Sequence, residues 1–513
     1  MRLKESLELG GQHLLGWLDP DRDYLPTGSW AITHDLGRWW DAMLRLEDAT
    51  GFVIPGDMEG ASLRNLHWLT DNPDGLMFVP PGLDWHPIMF EFHSLREGIL
   101  TFAALAKFRG SKWAEQAGHK YIQTLWDGLA ADFSWEVNRF DYAKYFDEVE
   151  HRDFGHTPFK ANQFQLSVSH GRCIEALVWY YRWTEDSLAL ELADRLARFH
   201  LGHATSADGK IPHYLYDEDS KAGDGQSHLY TLCGLLQFGL LTHQREYIDA
   251  VVQTYAVGFP QIVRECGWVA HDLGLSRYSD EIGNPSANTE STGAAARLAL
   301  WMAMHAGRAD CYDDVERLVR ARLFPGQTTE ADRCSNPDVV ISDKAIGGWG
   351  ANDYPHAGKG FNPSGTAEVV HTLSAIYQNI TSRDQAGLFV NMHFDYEGPE
   401  ARIEVRREDA ASVTIFPQVE DALFVRIPGW AKSVQLFVDG DVVETVMIGA
   451  YAHVPRLGSG PGRKVELRYD LPERRTREEM PAGDAYEFAW KGDEIVGVAP
   501  NDRPMPFYPT LVP

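Results

Sequence analysis

The sequence predicts a mainly α-helical protein, an (α/α)6 toroid of six helical hairpins followed by a C-terminal antiparallel β-sandwich. From about residue 30 to 380, apolar residues recur with helical period and stop signals follow at intervals of roughly fifteen to twenty residues. Near residue 385 the pattern changes to short alternating strands separated by Gly, Pro and Asp turns. We therefore expect a barrel domain over 1–384, a sandwich over 385–475, and an extension over 476–513 that packs back on the body.

The helical segments come in pairs joined by short turns, and one helix of each pair is the more apolar. The stretch "SLREGILTFAALAKFRGSKWAEQAGHKYIQTLW" reads as helix, Arg-Gly-Ser turn, helix, and the units near residues 170 and 228 repeat this plan. Six such inner helices can be counted, beginning near residues 34, 93, 170, 228, 290 and 362. In a closed ring the more apolar helices face the axis, so their N-terminal ends should line one mouth.

The strand region follows the helices. Segments such as "ARIEVRRE", "ASVTIFPQ", "DALFVRIPGW" and "RKVELRYDLP" alternate apolar and polar residues over the length of a short strand. Turn residues separate them, as a sandwich of antiparallel sheets requires.

Charge narrows the choice of partners. The formal net charge is -27 and the sequence pI is about 5.1, with no basic patch, so nucleic acid and anionic membranes are poor partners. The first twenty residues hold no uninterrupted apolar run, and the five cysteines are odd in number and widely separated. We therefore expect a cytoplasmic enzyme without a disulfide framework. A homo-oligomer is compatible with this sequence.

Three histidines stand at the heads of apolar helical segments: His93, His170 and His228. Each precedes the next outer helix by a similar number of residues, so in a toroid all three should converge on the same mouth. A single histidine on an apolar face is most often a core residue, but the recurrence favours a shared pocket. Neutral imidazoles can donate to or accept from sugar hydroxyls, so the residue type fits a sugar pocket for a carbohydrate substrate.

Carboxylates accompany the histidines. The stretch "SRYSDEIGNPSANTEST" brings Asp280, Glu281 and Glu290 to the loop and helix start of the fourth unit. Glycoside cleavage requires two carboxyl groups, one protonated and one ionised, and Glu281 and Glu290 are the candidates for this pair. The alternative for Glu290 is simple complementation of a helix N-terminus. The further residues predicted to bind substrate are Asp280, Tyr278, Trp349 and Asp353, the last also a candidate second carboxylate.

The chain resembles glycoside hydrolase family 127, the β-L-arabinofuranosidase group, from about residue 90 to 475. The order and spacing of segments such as "SHLYTLCGLLQFGLL", "DEIGNPSANTESTGAAARLALWM" and "FVRIPGWAKSVQLFVDG" carry the resemblance. The resemblance implies that His93, His170 and His228 are pocket histidines. It also implies that Glu281 corresponds to the family's acid/base glutamate.

The zinc site that the resemblance implies is not repeated in this sequence. Glu290 matches a glutamate that is a zinc ligand in the family, but Thr292 stands where the same motif has a cysteine. Phe361 and Asn362 stand where the family has two more cysteines, which supply zinc ligands and the nucleophile. Sulfur ligands supply most of the zinc affinity of such a site, so we predict a glycosidase that uses no cofactor. Cys334 in a nearby loop could substitute, but is more simply incidental.

Two other functions stay open. A lyase or epimerase could act on a uronic acid, with a histidine and Tyr278 or Tyr354 as base and acid. Such an enzyme needs an arginine to neutralise the substrate carboxylate, for which Arg172 and Arg277 are candidates. The chain could instead be a sugar-binding or scaffold protein that lost activity together with the thiolates.

Overall fold

The described part of the chain is a ring of helices followed by three antiparallel or mixed β-sheets. The computed structural model describes residues 3–26, 32–77, 94–131, 170–211, 225–270, 289–329, 345–359, 363–455, 463–480, 483–503 and 505–511. The predicted fold class is confirmed. No helix within these ranges has the length and hydropathy that a membrane span requires.

The longer helices account for the ring. In chain order they are α1 (Leu3–Gly16), α2 (Ile32–Thr50), α3 (Gly56–Leu69), α4 (Leu95–Arg109), α5 (Lys112–Gly128), α6 (Cys173–Thr184), α7 (Ser187–His203), α8 (Gly225–Thr242), α9 (Arg245–Val257), α10 (Thr289–His305), α11 (Cys311–Leu318) and α12 (Pro363–Gln378). A short helix, Phe259–Ile262, follows α9, and a π-helical turn, Val319–Leu323, continues α11.

The inner wall of the ring consists of α2, α4, α6, α8, α10 and α12. Each of these helices packs against the next, and α12 returns to pack against α2, so the ring is closed. The inner helices begin within three residues of the predicted positions. Their residues are buried on nearly all sides, which is why they are more apolar than the outer helices.

The turns between inner and outer helices follow one plan. Gly110, with φ of 58°, ends α4, and Ser111 then caps α5 by accepting a hydrogen bond from the backbone N–H of Ala114 at 3.2 Å. Glu185, also with φ of 58°, ends α6, and Asp186 caps α7. A left-handed residue followed by an N-cap residue reverses the chain in few residues.

Helix α1 was not predicted. It packs against α12 and α2, and therefore takes the outer position beside the last inner helix. Gly10 and Gly11 lower the helix propensity of this segment, but both lie at close contacts. A Cβ at Gly11 would lie 2.4 Å from Leu46 Cδ2. The glycines that weaken the local helix signal thus allow α1 to approach α2.

The sheets begin directly after α12. The five-stranded sheet has the spatial order Val446–Ile448, Tyr451–Val454, Leu423–Arg426, Leu388–Val390 and Thr381–Arg383. The six-stranded sheet has the order Asp441–Val443, Lys432–Val438, Val465–Asp470, Ala410–Pro417, Ala401–Arg407 and Tyr396–Glu397. The pairing of Leu423–Arg426 with Leu388–Val390 is parallel, whereas the other pairings in both sheets are antiparallel.

A third sheet, formed by Glu473–Glu479, Ala485–Lys491 and Glu494–Ala499, follows and contacts the ring. Arg320 Nη1 donates to Asp493 Oδ2 at 2.8 Å, and the Tyr508 hydroxyl donates to the carbonyl of Ala321 at 2.5 Å. The domain limits at residues 384 and 475 stay a prediction.

Candidate active site

Charged side chains of the inner helices fill the axis of the ring. The eight residues are Arg38 of α2, Arg96 and Glu97 of α4, Arg172 directly before α6, Glu175 of α6, Glu290 and Arg297 of α10, and Glu368 of α12. We call them the axial cluster. All of them are buried, and their formal charges cancel. Buried charges require partners, so their contacts decide what the axis can do.

Glu97 accepts hydrogen bonds from three arginines of the axial cluster. Its Oε1 accepts hydrogen bonds from Arg38 Nε and Arg96 Nη1, both at 3.1 Å, and from Arg172 Nη2. Burial would raise the pKa of this carboxyl, but the neighbouring cationic charges, Arg172 first, hold it well below its usual range. Glu97 is therefore a fixed anion.

Arg297 bridges two other carboxylates of the axial cluster, Glu368 and Glu175. It donates from Nη1 to Glu368 Oε1 at 2.5 Å and from Nη2 to Glu175 Oε2 at 3.0 Å. Arg96 Nη2 donates to Glu368 Oε2 at 3.4 Å, and because Arg96 also donates to Glu97, it connects Glu97 with Glu368. Despite burial, Arg297 and Arg96 lower the pKa of Glu368 to about 2, whereas burial outweighs the same arginines at Glu175 and raises its pKa.

Helix α8 contributes an aromatic ring to the axis. The guanidinium carbons of Arg96, Arg297 and Arg172 lie 4.0, 5.1 and 5.5 Å from the ring centroid of Tyr230. The Tyr230 hydroxyl accepts a hydrogen bond from Gln226 Nε2 at 2.7 Å. Cation–π contacts of this kind are strongest where water is excluded, as it is here.

Glu290 lies at the mouth end of the axial cluster, in the first turn of α10. Its Oε2 accepts a hydrogen bond from Arg38 Nη1 at 2.6 Å, and the same Nη1 donates to the carbonyl of Ser364 at 3.2 Å. Glu290 is 6% exposed, against 0% for Glu97 and 2% for Glu368. It is the most exposed carboxylate of the axial cluster, and therefore the one that a molecule in the mouth could reach.

Two of the three predicted histidines lie on segments that contact each other. A Cβ on Gly171 would lie 2.1 Å from Thr231 Oγ1, so the segment that carries His170 touches the start of α8, which carries His228. His200 of α7 joins them, with its ring centroid 6.2 Å from that of His170. Burial and the neighbouring imidazoles lower the pKa of His200 well below its usual range.

Neither His170 nor His228 is exposed in the structure, so their role as direct ligands of a sugar stays a prediction. His200 lies on the outer helix α7, so the pattern of the inner helices does not predict it. The signal was present, since His200 follows Leu196 and Ala197 on the buried face of α7.

Trp349 is fully buried and held on several sides. Its Nε1 donates to the carbonyl of Leu323 at 2.7 Å, and its backbone N–H donates to Thr366 Oγ1 at 3.0 Å. A Cβ on Gly10 of α1 would lie 3.0 Å from its ring. This placement gives Trp349 a packing role between α1 and α12, and its contact with substrate stays a prediction.

The segment after Trp349 lies beside the start of α10, because Thr289 Oγ1 donates to the carbonyl of Gly350 at 2.9 Å. Asp353 belongs to the strand Ala351–Tyr354 that follows, but its side chain is outside the described part of the chain. The other predicted residues outside the described ranges are His93, Arg277, Tyr278, Asp280, Glu281, Cys334, Phe361 and Asn362.

The described residues do not fit the zinc site that the resemblance implies. The Thr292 hydroxyl donates to the carbonyl of Gly267 at 2.8 Å, and a threonine cannot replace a thiolate ligand. Burial raises the pKa of the Cys173 and Cys311 thiols to about 12, and also raises those of Cys233 and Cys266. Within the described ranges, no group of three or more His, Cys, Asp or Glu side chains could hold a metal ion.

Glu290 and Arg172 were predicted from the sequence, whereas the other six residues of the axial cluster were not. A signal existed: Arg297 and Glu368 interrupt otherwise apolar inner helices, in "GAAARLALWM" and "GTAEVVHTL". Since charged residues are almost never fully buried without a partner, charges inside such helices predict one another's presence.

Comparison with known proteins bears on the fold. No protein-family model matches the chain, and neither does any curated protein. The structure of a GH127 β-L-arabinofuranosidase from Geobacillus stearothermophilus T6 is similar over 96% of this chain and 80% of that enzyme's chain. The TM-score is 0.59 and the sequence identity 14%. The structure of a second GH127 β-arabinofuranosidase is similar over 95% of this chain and 78% of that enzyme's chain, with a TM-score of 0.60 and 14% sequence identity. A structure described as a glycoside hydrolase has a TM-score of 0.59 and 13% identity, over 96% of this chain and 80% of that one. At such identities the likeness shows a common fold and no more.

Proposed function

We propose that the protein is a glycoside hydrolase that acts on a small oligosaccharide or glycoside through carboxylate chemistry and without a metal. The observation that carries the proposal is Glu290, the most exposed carboxylate of the axial cluster, which lies in the first turn of an inner helix with Arg38 Nη1 at 2.6 Å. The fold shared with GH127 enzymes supports the same reaction class.

Two carboxyl groups divide the work in this proposal. Glu281, protonated, donates its proton to the glycosidic oxygen, while the Glu290 carboxylate attacks the anomeric carbon or takes a proton from the attacking water. Asp353 is the alternative partner of Glu281. A separation of about 5 Å between the two carboxyls predicts retention of configuration, and about 6.5 to 9.5 Å predicts inversion.

Arg38 serves the reaction by holding Glu290. Its guanidinium bridges Glu290 and Glu97, so the Glu290 carboxylate faces a fixed positive charge and keeps one orientation. Preorganised charge of this kind lowers barriers because it needs no rearrangement during the reaction. His93, His170 and His228 are proposed to hold the sugar hydroxyls.

The uronic-acid lyase or epimerase is less well supported. The candidate Arg172 is fully buried and already donates to Glu97, so its charge is used inside the axial cluster. Elimination would give an unsaturated product that absorbs in the ultraviolet, whereas hydrolysis would not.

A panel of 4-nitrophenyl glycosides tests the proposal. The named activity of the structural neighbours makes L-arabinofuranosides the first members, followed by pyranosides of common sugars. We expect release of 4-nitrophenol from at least one glycoside, at a rate unchanged after dialysis against EDTA. Activity that disappears on chelation and returns with zinc would contradict the metal-free chemistry. Sugar binding by calorimetry without turnover of any glycoside would favour the inactive sugar-binding protein.

A further inference from the structure

A hairpin of two short strands, Ala351–Tyr354 and Ala357–Lys359, begins at the mouth end of the ring. Thr289, the residue before Glu290, donates from Oγ1 to the carbonyl of Gly350 at 2.9 Å, and the hairpin starts at the next residue. We call it the mouth hairpin. Because it begins beside the start of α10, its placement belongs to the geometry of the mouth.

Arg322 holds the turn of the mouth hairpin. Its guanidinium donates from Nη1 to the carbonyl of Pro355 and from Nη2 to the carbonyl of Tyr354, the latter at 3.1 Å. Arg322 is buried and lies in the π-helical turn Val319–Leu323 that continues α11. Single π-helical turns of this kind are frequent at functional sites. One planar guanidinium thus fixes two successive carbonyls of the hairpin.

The C-terminal segment 505–511 is bonded to the same hairpin through its backbone. The Phe507 N–H donates to the carbonyl of His356 at 2.8 Å, and the Gly358 N–H donates to the carbonyl of Met505 at 2.9 Å. The segment therefore lies antiparallel to the second strand of the mouth hairpin, as a short additional strand.

The Phe507 ring extends this contact toward the inner helices. Its centroid lies 4.8 Å from the guanidinium carbon of Arg322. A Cβ on Gly326 would lie 3.8 Å from Phe507 Cζ and 3.9 Å from Thr289 Cγ2. Both side chains thus border the same residue, so the C-terminal segment lies close to the start of α10.

The C-terminal segment is itself anchored, so it can support the hairpin. The Val498 N–H donates to the carbonyl of Pro509 at 3.0 Å, and the Leu511 N–H donates to the carbonyl of Val498 at 2.9 Å. These bonds tie the segment to the third sheet, and the Tyr508 hydroxyl ties it to the carbonyl of Ala321 in the π-helical turn. The third sheet is therefore connected to the mouth hairpin through the C-terminal segment.

We propose that Arg322 and the C-terminal segment position the mouth hairpin for glycoside cleavage. The hairpin carries Asp353, the alternative partner of Glu281, and it begins beside the helix that carries Glu290. Arg322 is a positioning residue, because it acts through the hairpin and does not touch the substrate. The inference rests on the proposed function, since it concerns the same mouth, and it makes the third sheet a support of the active site.

Steady-state kinetics on the best nitrophenyl glycoside test this inference, with Arg322→Lys and Phe507→Ala as variants. Lysine keeps the charge but cannot hold both carbonyls in one planar fork, and alanine removes the ring beside the guanidinium. We expect kcat to fall about 10- to 100-fold in each variant, because small displacements at the reacting atoms are costly. KM should change by less than about threefold, since the loss concerns the transition state and not substrate binding.

Arg320→Lys is the matched control. Arg320 lies in the same π-helical turn and is also buried, but it donates to Asp493 and to the carbonyl of His393, outside the mouth hairpin. This variant should lose stability and keep kcat within about threefold of the wild type. A fall in kcat as large as that of Arg322→Lys would show that general loss of packing is enough, and would overturn the inference.

Hydrogen–deuterium exchange of the mouth hairpin, followed by mass spectrometry, distinguishes failure of this inference from failure of the proposed function. Its amides should exchange about tenfold faster in Arg322→Lys and Phe507→Ala, and at the wild-type rate in Arg320→Lys. Phe507→Ala carries the test if Arg322→Lys does not fold. Faster exchange with unchanged kcat, or lower kcat with unchanged exchange, would overturn the inference. If the wild type cleaves no glycoside, the proposed function has failed, and the catalytic role of the hairpin fails with it.

Discussion

At the scale of single residues, Arg38 connects the mouth of the ring to its buried axis. It donates from Nε to the fully buried Glu97 and from Nη1 to the slightly exposed Glu290. The bond to Glu97 thus holds the guanidinium that orients Glu290. The planar guanidinium sets both contacts at once, which a lysine could not reproduce. The orientation of Glu290 is thus decided inside the axial cluster.

The sequence could indicate Glu290 but not its partner. Glu290 was predicted because it opens an inner helix, which is a local feature. Arg38 lies 252 positions earlier in the chain, and the two meet only because α2 and α10 belong to one closed ring. Which buried charges pair is therefore a property of the ring, whereas the presence of charges in apolar helices is visible in the sequence.

The pH dependence of stability tests the axial cluster at the level of one carboxyl. Arg297 and Arg96 lower the pKa of Glu368 to about 2 in the folded state, below the ordinary value of 4.5. A group with a depressed pKa stabilises the fold above its unfolded pKa and loses that contribution as the pH falls toward its folded pKa. The wild-type protein should therefore lose the Glu368 contribution as the pH falls below about 5.

The measurement is the free energy of unfolding in urea at several pH values for the wild type and Glu368→Gln. At pH 7 the variant should be less stable by about 3–5 kcal/mol, because it removes the carboxylate charge that faces the buried Arg297 and Arg96. The difference should narrow by about 1.4 kcal/mol between pH 7 and pH 3.5, the size expected for one unit of proton linkage. Exposed Glu246 offers the control, Glu246→Gln, with no such narrowing. A difference that stays constant with pH would contradict an ionised, arginine-held Glu368.

At the scale of elements, the close approach of α2 and α4 depends on one glycine. A Cβ on Gly37 of α2 would lie 2.6 Å from the backbone carbonyl oxygen of Glu97 in α4. Backbone atoms cannot move aside as a flexible side chain can. The two helices that carry Arg38 and Glu97 can therefore meet only while this position has no side chain.

Gly37→Ala should destabilise the protein by about 1–3 kcal/mol, the usual cost of overpacking, as measured by urea unfolding. The matched control is Gly60→Ala in α3, where the nearest atom to the added Cβ is Arg64 Nη1 at 3.8 Å. That change should be neutral or stabilise by up to about 1 kcal/mol, because alanine is the better helix former. If the two variants have equal stability, the proposed close contact between α2 and α4 is wrong.

The sequence predicted the inner helices well and α1 not at all. The inner helices have long apolar runs with capping residues at their turns, and such local signals need no tertiary context. In α1 the two adjacent glycines weaken the local signal, and their purpose appears only where Gly11 meets Leu46 and Gly10 meets Trp349. Tertiary contacts there overrule the intrinsic propensity.

At the scale of the whole molecule, the first and last helices of the ring meet. Helix α1 covers α12, and Ser6 Oγ donates to Gln327 Oε1 at 2.7 Å, so α1 is tied to the segment that follows the π-helical turn Val319–Leu323. The net charge of -27 lies outside the axial cluster, whose own charges cancel. The eight residues of the axial cluster therefore contribute no net charge, and the excess of acidic residues belongs to the rest of the chain.

The whole architecture could be predicted because six similar hairpins repeat one signal and the strands repeat another. The reaction could not be predicted with the same precision, since it depends on distances between carboxyls that different hairpins supply. The resemblance to GH127 agrees with the fold. The Thr292 hydroxyl donates to the carbonyl of Gly267 and cannot replace a thiolate ligand, and the chemistry at that position stays a prediction.

The rate of Glu290→Gln on the best nitrophenyl glycoside tests the central claim most directly. Glutamine keeps an acceptor oxygen for Arg38 but can be neither nucleophile nor base, so kcat should fall roughly 10²- to 10⁴-fold. Loss of the ion pair with Arg38 should lower the melting temperature, while the far-UV circular dichroism spectrum stays that of the folded protein. Glu246→Gln, with its exposed carboxyl, should keep the wild-type kcat. A folded Glu290→Gln protein with kcat within tenfold of the wild type would contradict the account.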